Sequence, residues 1–363
     1  MRFFTSLFLA LSGSVAASPV HVDNEAIELF NRQIQSLNAA MIAAGREYIG
    51  TSLTVRNDQQ EMNIIRSEFG SITPENAQKW DATEPNRGQF TFAASDQHMN
   101  WAQQNGIRHV RCHTLVWYSQ LPWWVSNSGF NNATLIQVMT NHINTVMGRY
   151  RGRCTHWDVV NEALNEDGTY RDNVFLRVIG EAYIPIAFRI AAAADPAAKL
   201  YYNDYNLEYL GPKVEGAARI VRLCQQYGVR IDGVGYQAHL VTESTPTQST
   251  PTPSEEDLTK ALRITADLGV DVAYTEIDIR MRTPSNYQKL QDLANAYARV
   301  ARSCMNVKRC VGMTIWGVTD RYSWVPNTFP GEGDALLWNS NYQRKEAYNS
   351  FLRAIQAPVN ATF

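Results

Sequence analysis

Several features that would mark other classes of protein are missing or scarce. Net charge is almost absent: 33 Lys and Arg against 35 Asp and Glu leave a formal −2 over 363 residues. Nothing in that balance offers an electrostatic grip on nucleic acid or an anionic membrane. Beyond the N-terminus, no apolar run is long enough to cross a bilayer. Cysteine is sparse, with five in all. No Cys or His pair has the spacing of metal ligands, so neither a metal nor another cofactor is expected. There is no glycine-rich phosphate loop after the first strand-like run, and no Ser-His-Asp order competes as a hydrolytic triad. What remains is a globular composition, 45% hydrophobic and 19% charged. The length suits either two ordinary domains or one large α/β barrel.

The first residues, MRFFTSLFLALSGSVAASP, carry one Arg, an apolar run and then small residues at Val15-Ala16-Ala17. That is the layout of a secretory signal peptide spanning residues 1–17, with cleavage expected after Ala17 or, alternatively, Ala16. A mature, secreted, soluble monomer from residue 18 to 363 is then expected. Secretion changes how the cysteines read. Cys304 and Cys310 bracket a short loop and are expected to form a disulfide. Cys112, Cys154 and Cys224 are expected as buried thiols, since two lie in apolar strand-like runs and one on a helix. An odd count leaves at least one thiol free. Two sequons, at Asn132 and Asn360, are glycosylation candidates.

An amphipathic helix is predicted from about Asn24 to Ala44. Short apolar runs then alternate with longer helical patterns. The runs are YIGTSL near 48, GSIT near 70, RHVRCHTLVW near 108, CTHWDVV near 154, KLYYNDY near 199, GVGYQAHL near 233, VAYTEIDI near 272 and CVGMTIWG near 310. Eight nearly all-apolar strands separated by helices imply a single closed parallel (β/α)8 TIM barrel. The alternative, an open doubly wound sheet, is weakened by the missing phosphate loop. The Thr/Pro/Ser stretch Thr242–Asp257 has the composition of a linker. Because the alternation resumes after it, it is expected as a long mobile loop after the sixth strand. Because the chain stops soon after its last helix, no appended binding module is expected.

Catalytic groups of such a barrel gather at the C-terminal ends of its strands. Reading those ends gives Glu75, Asn76, Lys79 and Trp80; His113, Trp117 and Gln120; Asn161 and Glu162; Asn203 and Tyr205; Gln237 and His239; Glu276 and Asp278; and Trp316, Arg321 and Trp324. Two carboxylates in a cleft of amides and indoles suit glycoside hydrolysis, in which one acts as an acid and the other must be ionised. Asp278 shares a strand face with Glu276, and with His239 could form a chain that keeps Glu276 ionised and oriented. Glu162 lacks an obvious chain and is the better acid. Taken singly, each residue has a plainer reading: a helix-capping or Arg-paired Glu, a core His, a packing Trp, a surface Lys.

The motifs ENAQKW (75–80), HTLVWYSQ (113–120), WDVVNEA (157–163), NDYN (203–206), GVGYQAH (233–239), TEIDIR (275–280) and TIWGVTDRYSW (314–324) occur in this order. With them, the chain resembles the glycoside hydrolase family 10 endo-β-1,4-xylanases, in particular secreted fungal ones, from about Asp23 to Leu352. The resemblance implies a retaining double displacement, with Glu162 as acid/base and Glu276 as nucleophile. It implies that Asn161 binds the 2-hydroxyl of the sugar being cleaved and that Gln237 and His239 lie around the nucleophile, which the strand-face reading of Asp278 supports. Substrate-binding roles follow for Glu75, Asn76, Lys79, His113, Trp117, Gln120, Asn203, Tyr205, Gln237, Trp316 and Trp324, with xylan and xylo-oligosaccharides as partners. Arg321 is added to the substrate-binding set from its place at the end of the eighth strand. The rivals are a β-1,4-glucanase or mannanase on a related barrel, and a catalytically dead barrel that only binds glycans or enzymes. Such dead barrels usually lose a carboxylate, and both are present here.

Overall fold

A computed structural model of the chain describes residues 36–358. The signal-like segment, the first part of the expected opening helix and Asn360 lie outside the described residues. The described part of that helix is Leu37–Ala43, started by Ser36, whose Oγ accepts the Ala39 N–H at 3.1 Å.

The barrel strands are β1 (Tyr48–Leu53), β2 (Ser71–Pro74), β3 (His109–Trp117), β4 (His156–Asn161), β5 (Lys199–Asp204), β6 (Gly233–Tyr236), β8 (Asp271–Arg282) and β9 (Cys310–Ile315). Each pairs in parallel with the next, and β9 returns to β1, with Tyr48 opposite Gly312. The closed sheet leaves no edge among these strands. Both its faces are covered, which is why β1, β2, β4 and β6 are buried at every position and read as apolar runs rather than alternating ones. Between strands the helices start where the sequence supplies a cap. Asp58, Asn131, Asn173, Ser254 and Asn286 each accept a backbone N–H two or three residues on.

The sixth run divides in two. After β6 the chain turns at Ala238, where φ is +58°, and resumes as β7 (His239–Val241), pairing with β8 so that His239 stands opposite Asp278. The turn sends Gln237 and His239 into the barrel mouth side by side. At β6 the lack of a side chain matters: a Cβ on Gly235 would stand 2.2 Å from Asn203 Oδ1.

Two expectations need correction. Cys112 and Cys154 are not thiols but a disulfide, with Cα atoms 5.8 Å apart. Cys154 leads into β4, which runs beside β3, and barrel closure brings the two together. Cys304–Cys310 forms the expected bridge, and Cys224 is the free, buried thiol among the described residues, pushed up to about 12 by burial. The Thr/Pro/Ser stretch is anchored rather than loose. Thr252 N–H donates to Val241 O at 2.8 Å, Thr247 Oγ1 to Glu332 at 2.8 Å and Gln248 Nε2 to Tyr209 Oη at 2.6 Å. Its last residues begin the helix Glu255–Ala266.

Candidate active site

At the C-terminal end of the strands lies a cleft of about 510 Å³. Fourteen of the residues read from the strand ends line it: Glu75, Asn76, Lys79, His113, Trp117, Gln120, Asn161, Glu162, Tyr205, Gln237, His239, Glu276, Trp316 and Trp324. Three do not. Asp278 and Asn203 are fully buried behind the wall. Arg321 sits on the turn Asp320–Tyr322 with its side chain in solvent beside Tyr322. That turn directs it away from the cleft, and the arginine that does line the cleft is Arg280.

Glu276, 5% exposed, comes from the middle of β8. Asn203 Nδ2 donates to its Oε1 at 2.9 Å, and His239 Nε2 lies 3.2 Å from Oε2. The other ring nitrogen of His239 is 2.9 Å from Asp278 Oδ2, which also accepts Trp324 Nε1–H at 2.7 Å. Burial alone would push the Glu276 carboxyl up. The hydrogen bond from His239, the charges of His113 and His239, and the Asn203 amide outweigh it and hold the group down to about 2. Burial opposes charge on His239 too, but Asp278 and Glu276 raise it to about 10. His239 is thus held protonated between Asp278 and Glu276.

Glu162 follows β4 with φ at +53°, a left-handed conformation that a residue with a side chain adopts at some cost. That turn aims the carboxyl into the cleft, 8% exposed. Each oxygen receives one donor: Trp117 Nε1–H at 3.0 Å and Gln237 Nε2–H at 3.0 Å. Asn161 links the two carboxylates. Its Oδ1 accepts from Asn203 Nδ2 at 2.9 Å and Gln237 Nε2 at 3.4 Å, while its own Nδ2 is buried without a partner.

One wall is cationic. Lys79 Nζ donates to Asn76 at 2.8 Å and Gln120 at 2.7 Å, lies 4.9 Å from the Trp117 ring centre, and keeps a third N–H. Burial lowers its pKa, against the pull of Glu276, Glu75 and Glu162. His113 is oriented by Asp158, 2.9 Å from Nδ1, and Asp158 is in turn clamped by Arg111. Trp80 lies outside the cleft, stacked on His142 at 3.7 Å as packing.

The profile of the glycosyl hydrolase family 10 matches residues 36–354. The chain belongs to glycosyl hydrolase family 10. It is therefore a glycoside hydrolase. Relatives include endo-1,4-beta-xylanase B of Humicola insolens, 80% identical over 99% of this chain and 100% of its own length. Endo-1,4-beta-xylanase A of Fusarium oxysporum f. sp. lycopersici is 68% identical over 88% of this chain and 98% of its own. Among solved structures, the family-10 xylanase of Bispora sp. MEY-1 with xylobiose has a TM-score of 0.83 at 35% identity, covering 88% of this chain and 99% of that one. Penicillium canescens endo-1,4-beta-xylanase XylE gives 0.84 at 35%, covering 88% and 97%.

This family-10 cleft is also lined by residues that reading strand ends did not find: Asn206, Thr247, Gln248, Arg280 and Phe329. Arg280 organises Thr247, Gln248 and Phe329. Its Nη2 donates to Thr247 Oγ1 at 3.1 Å and Gln248 Oε1 at 3.2 Å, its Nε to Glu332 at 2.7 Å, and it lies 4.2 Å from the Phe329 ring centre. Glu208 was missed as well. Its Oε1 accepts the N–H of Ala238 at 2.7 Å, in the turn between Gln237 and His239. The sequence signal for Arg280 was available, since it shares a strand face with Glu276 and Asp278. For Glu208 there was none.

Proposed function

We propose that this glycoside hydrolase is a secreted, retaining endo-β-1,4-xylanase, with Glu276 as nucleophile and Glu162 as acid/base. The observation that carries the reading is the unequal setting of two cleft carboxylates. Glu276 is held ionised by His239 and Asn203, whereas Glu162 meets only the neutral donors Trp117 and Gln237. In the first step Glu276 attacks the anomeric carbon while Glu162 gives its proton to the glycosidic oxygen, so that the leaving chain departs as an alcohol. The resulting glycosyl ester is then attacked by water, whose proton returns to Glu162, and Glu276 is released. The unpartnered Nδ2 of Asn161 is assigned to the 2-hydroxyl of the reacting sugar, and the spare N–H of Lys79 to the neighbouring glycone sugar.

Xylan as substrate is supported by the names of the close relatives and by the shape of one wall. Trp316 and Trp324 line the cleft where a sugar without a hydroxymethyl group fits beneath bulky indoles. Crowding of that kind discriminates modestly, so weak cleavage of aryl cellobiosides is expected. Endo action is supported by a second depression that shares Asn206, Thr247 and Gln248 with the cleft and prolongs it. Secretion is supported by the signal-like N-terminus and by two disulfides. The exposed Asn132 is assigned as a glycan acceptor.

The test is trapping with an activated 2-deoxy-2-fluoro-β-xylobioside, which slows both steps and lets the ester accumulate. Intact mass should rise by one fluoroxylobiosyl group, and the label should map to the peptide carrying Glu276. A label on Glu162, or none while the reagent still inhibits turnover, would overturn the assignment.

A further inference from the structure

Three barrel strands bring chemistry together at the end of the barrel opposite the cleft. His109 opens β3, His156 opens β4 and Glu47 immediately precedes β1. One ring nitrogen of each histidine and one carboxylate oxygen of Glu47 lie within 4.8 Å of one another. The two imidazole centres are 4.6 Å apart, and Tyr48 stacks on His109 at 4.1 Å. Ser71 Oγ engages His109 Nδ1 at 2.8 Å, fixing the ring and leaving Nε2, which is buried and has no partner. His156 Nδ1 is buried and unpartnered as well. Buried polar atoms nearly always find partners, so two orphaned imidazole nitrogens in one place need a reason.

We propose that Glu47, His109 and His156 form a binding site for a divalent transition-metal ion of the zinc class. Two imidazoles and a carboxylate are a familiar three-ligand set, with solvent completing a tetrahedron. Metal–ligand bonds of about 2.0–2.2 Å place ligand atoms roughly 3.4 Å apart, so the cluster has to tighten. Glu47 is exposed and supplies the movable ligand, while the Ser71 contact already orients His109 as metal-bound histidines are oriented. Burial, with Arg111 nearby, holds His109 down to about 3 and His156 well below the ordinary histidine value. Protons therefore do not compete for the lone pairs. The surrounding charges cancel. Arg111 is clamped by Asp158, Arg309 pairs with Asp271, and Lys199 stands near Glu47. Attraction then comes from the nitrogen donors rather than from a negative field, which favours Zn²⁺ or Co²⁺ over Mg²⁺ or Ca²⁺. Such an ion ties the start of β1 to β3 and β4 and acts on stability, not on the cleft. Motif spacing could not reveal it, because the ligands are separated by dozens of residues and meet only when the barrel closes.

The experiment uses the full chain without a histidine tag, freed of metal by a chelator. Co²⁺ is titrated by visible absorption and displaced with Zn²⁺, and thermal unfolding is followed with and without Zn²⁺. One equivalent should bind with a tetrahedral Co²⁺ spectrum. Zn²⁺ at a hundred times its dissociation constant should shift the folding equilibrium about a hundredfold, while Mg²⁺ and Ca²⁺ should not. Glu47→Gln, at an exposed position, should weaken binding at least ~10-fold with hydrolysis unchanged, and His156→Asn should do the same. No stoichiometric binding would overturn the proposal. So would binding undiminished in both variants, which would place the ion elsewhere, such as on the cleft carboxylates.

Discussion

His239 stands between Asp278 and Glu276, with Nδ1 2.9 Å from the first carboxylate and Nε2 3.2 Å from the second. Because Asp278 fixes and charges the ring, His239 can hold Glu276 ionised in a buried place where a lone carboxylate would take up a proton. The linkage has a definite sign. His239, raised from 6.5 to about 10, contributes stability that is full below 6.5 and lost as pH climbs through about 10. Glu276, lowered from 4.5 to about 2, contributes stability present above 4.5 and lost as pH falls through about 2. Removing the donor with His239→Asn should raise the Glu276 pKa and move the acid limb of kcat/KM to higher pH. A pH profile whose acid limb stays in place would deny His239 this role.

Replacing the carboxylates should separate their roles. Glu276→Gln removes the nucleophile with little change of volume, so turnover should fall by on the order of 10⁴-fold or more while the fold survives. Glu162→Ala should spare the glycosylation step for aryl xylobiosides with good leaving groups, which need little acid assistance. Azide should then speed release and yield a β-glycosyl azide. Equal inactivity on aryl xylobiosides and polymer, azide included, would reject Glu162 as acid/base.

Glu208 should matter although it touches no sugar. It holds the Ala238 N–H at 2.7 Å, in the left-handed turn that places Gln237 against Glu162 and His239 against Glu276. Glu208→Ala should lower kcat about tenfold, as expected when a buried N–H loses its acceptor beside the chemistry, with a smaller change in KM. Burial already pushes this carboxyl up to about 7, so the neutral isostere Glu208→Gln, which keeps an acceptor, should restore most of the rate. If Glu208→Gln were as slow as Glu208→Ala, a role as acceptor would be wrong.

The Cys112–Cys154 bridge joins β3 to the lead-in of β4 across 42 residues of sequence. The double variant Cys112→Ser/Cys154→Ser should lose about 2–4 kcal/mol, a fall of roughly 5–10 °C in the thermal midpoint. Thiol titration of the unfolded wild type should find one free sulfhydryl, Cys224. Finding three would mean that the bridge does not form in the secreted protein.

The barrel was legible because its strands are buried on both faces and so stand out as apolar runs, each ending in the polar residues that the cleft needs. Strand-end reading finds cleft-lining side chains that come straight off a strand, as Asn161 and Glu276 do. It failed where the path after the strand decides. Arg321 lies on a turn that faces solvent, and Thr247 and Gln248 reach the cleft from a loop held by Arg280, Glu332 and Tyr209. Asn203 was placed at the right strand end but binds Glu276, Asn161 and Thr275 rather than lining the cleft. The thiol reading of Cys112 and Cys154 failed for a related reason: apolar context is shared by free and paired cysteines, and strand adjacency separates them.

The central claim is retention at a β-1,4-xylosidic bond, and anomeric proton NMR tests it most directly. Xylohexaose would be mixed with enzyme and spectra taken early, before mutarotation mixes the anomers. The β-anomer of the new reducing end should appear first, with the α-anomer growing in later. An α-anomer appearing first would contradict the covalent mechanism, and no cleavage of xylohexaose would contradict the substrate.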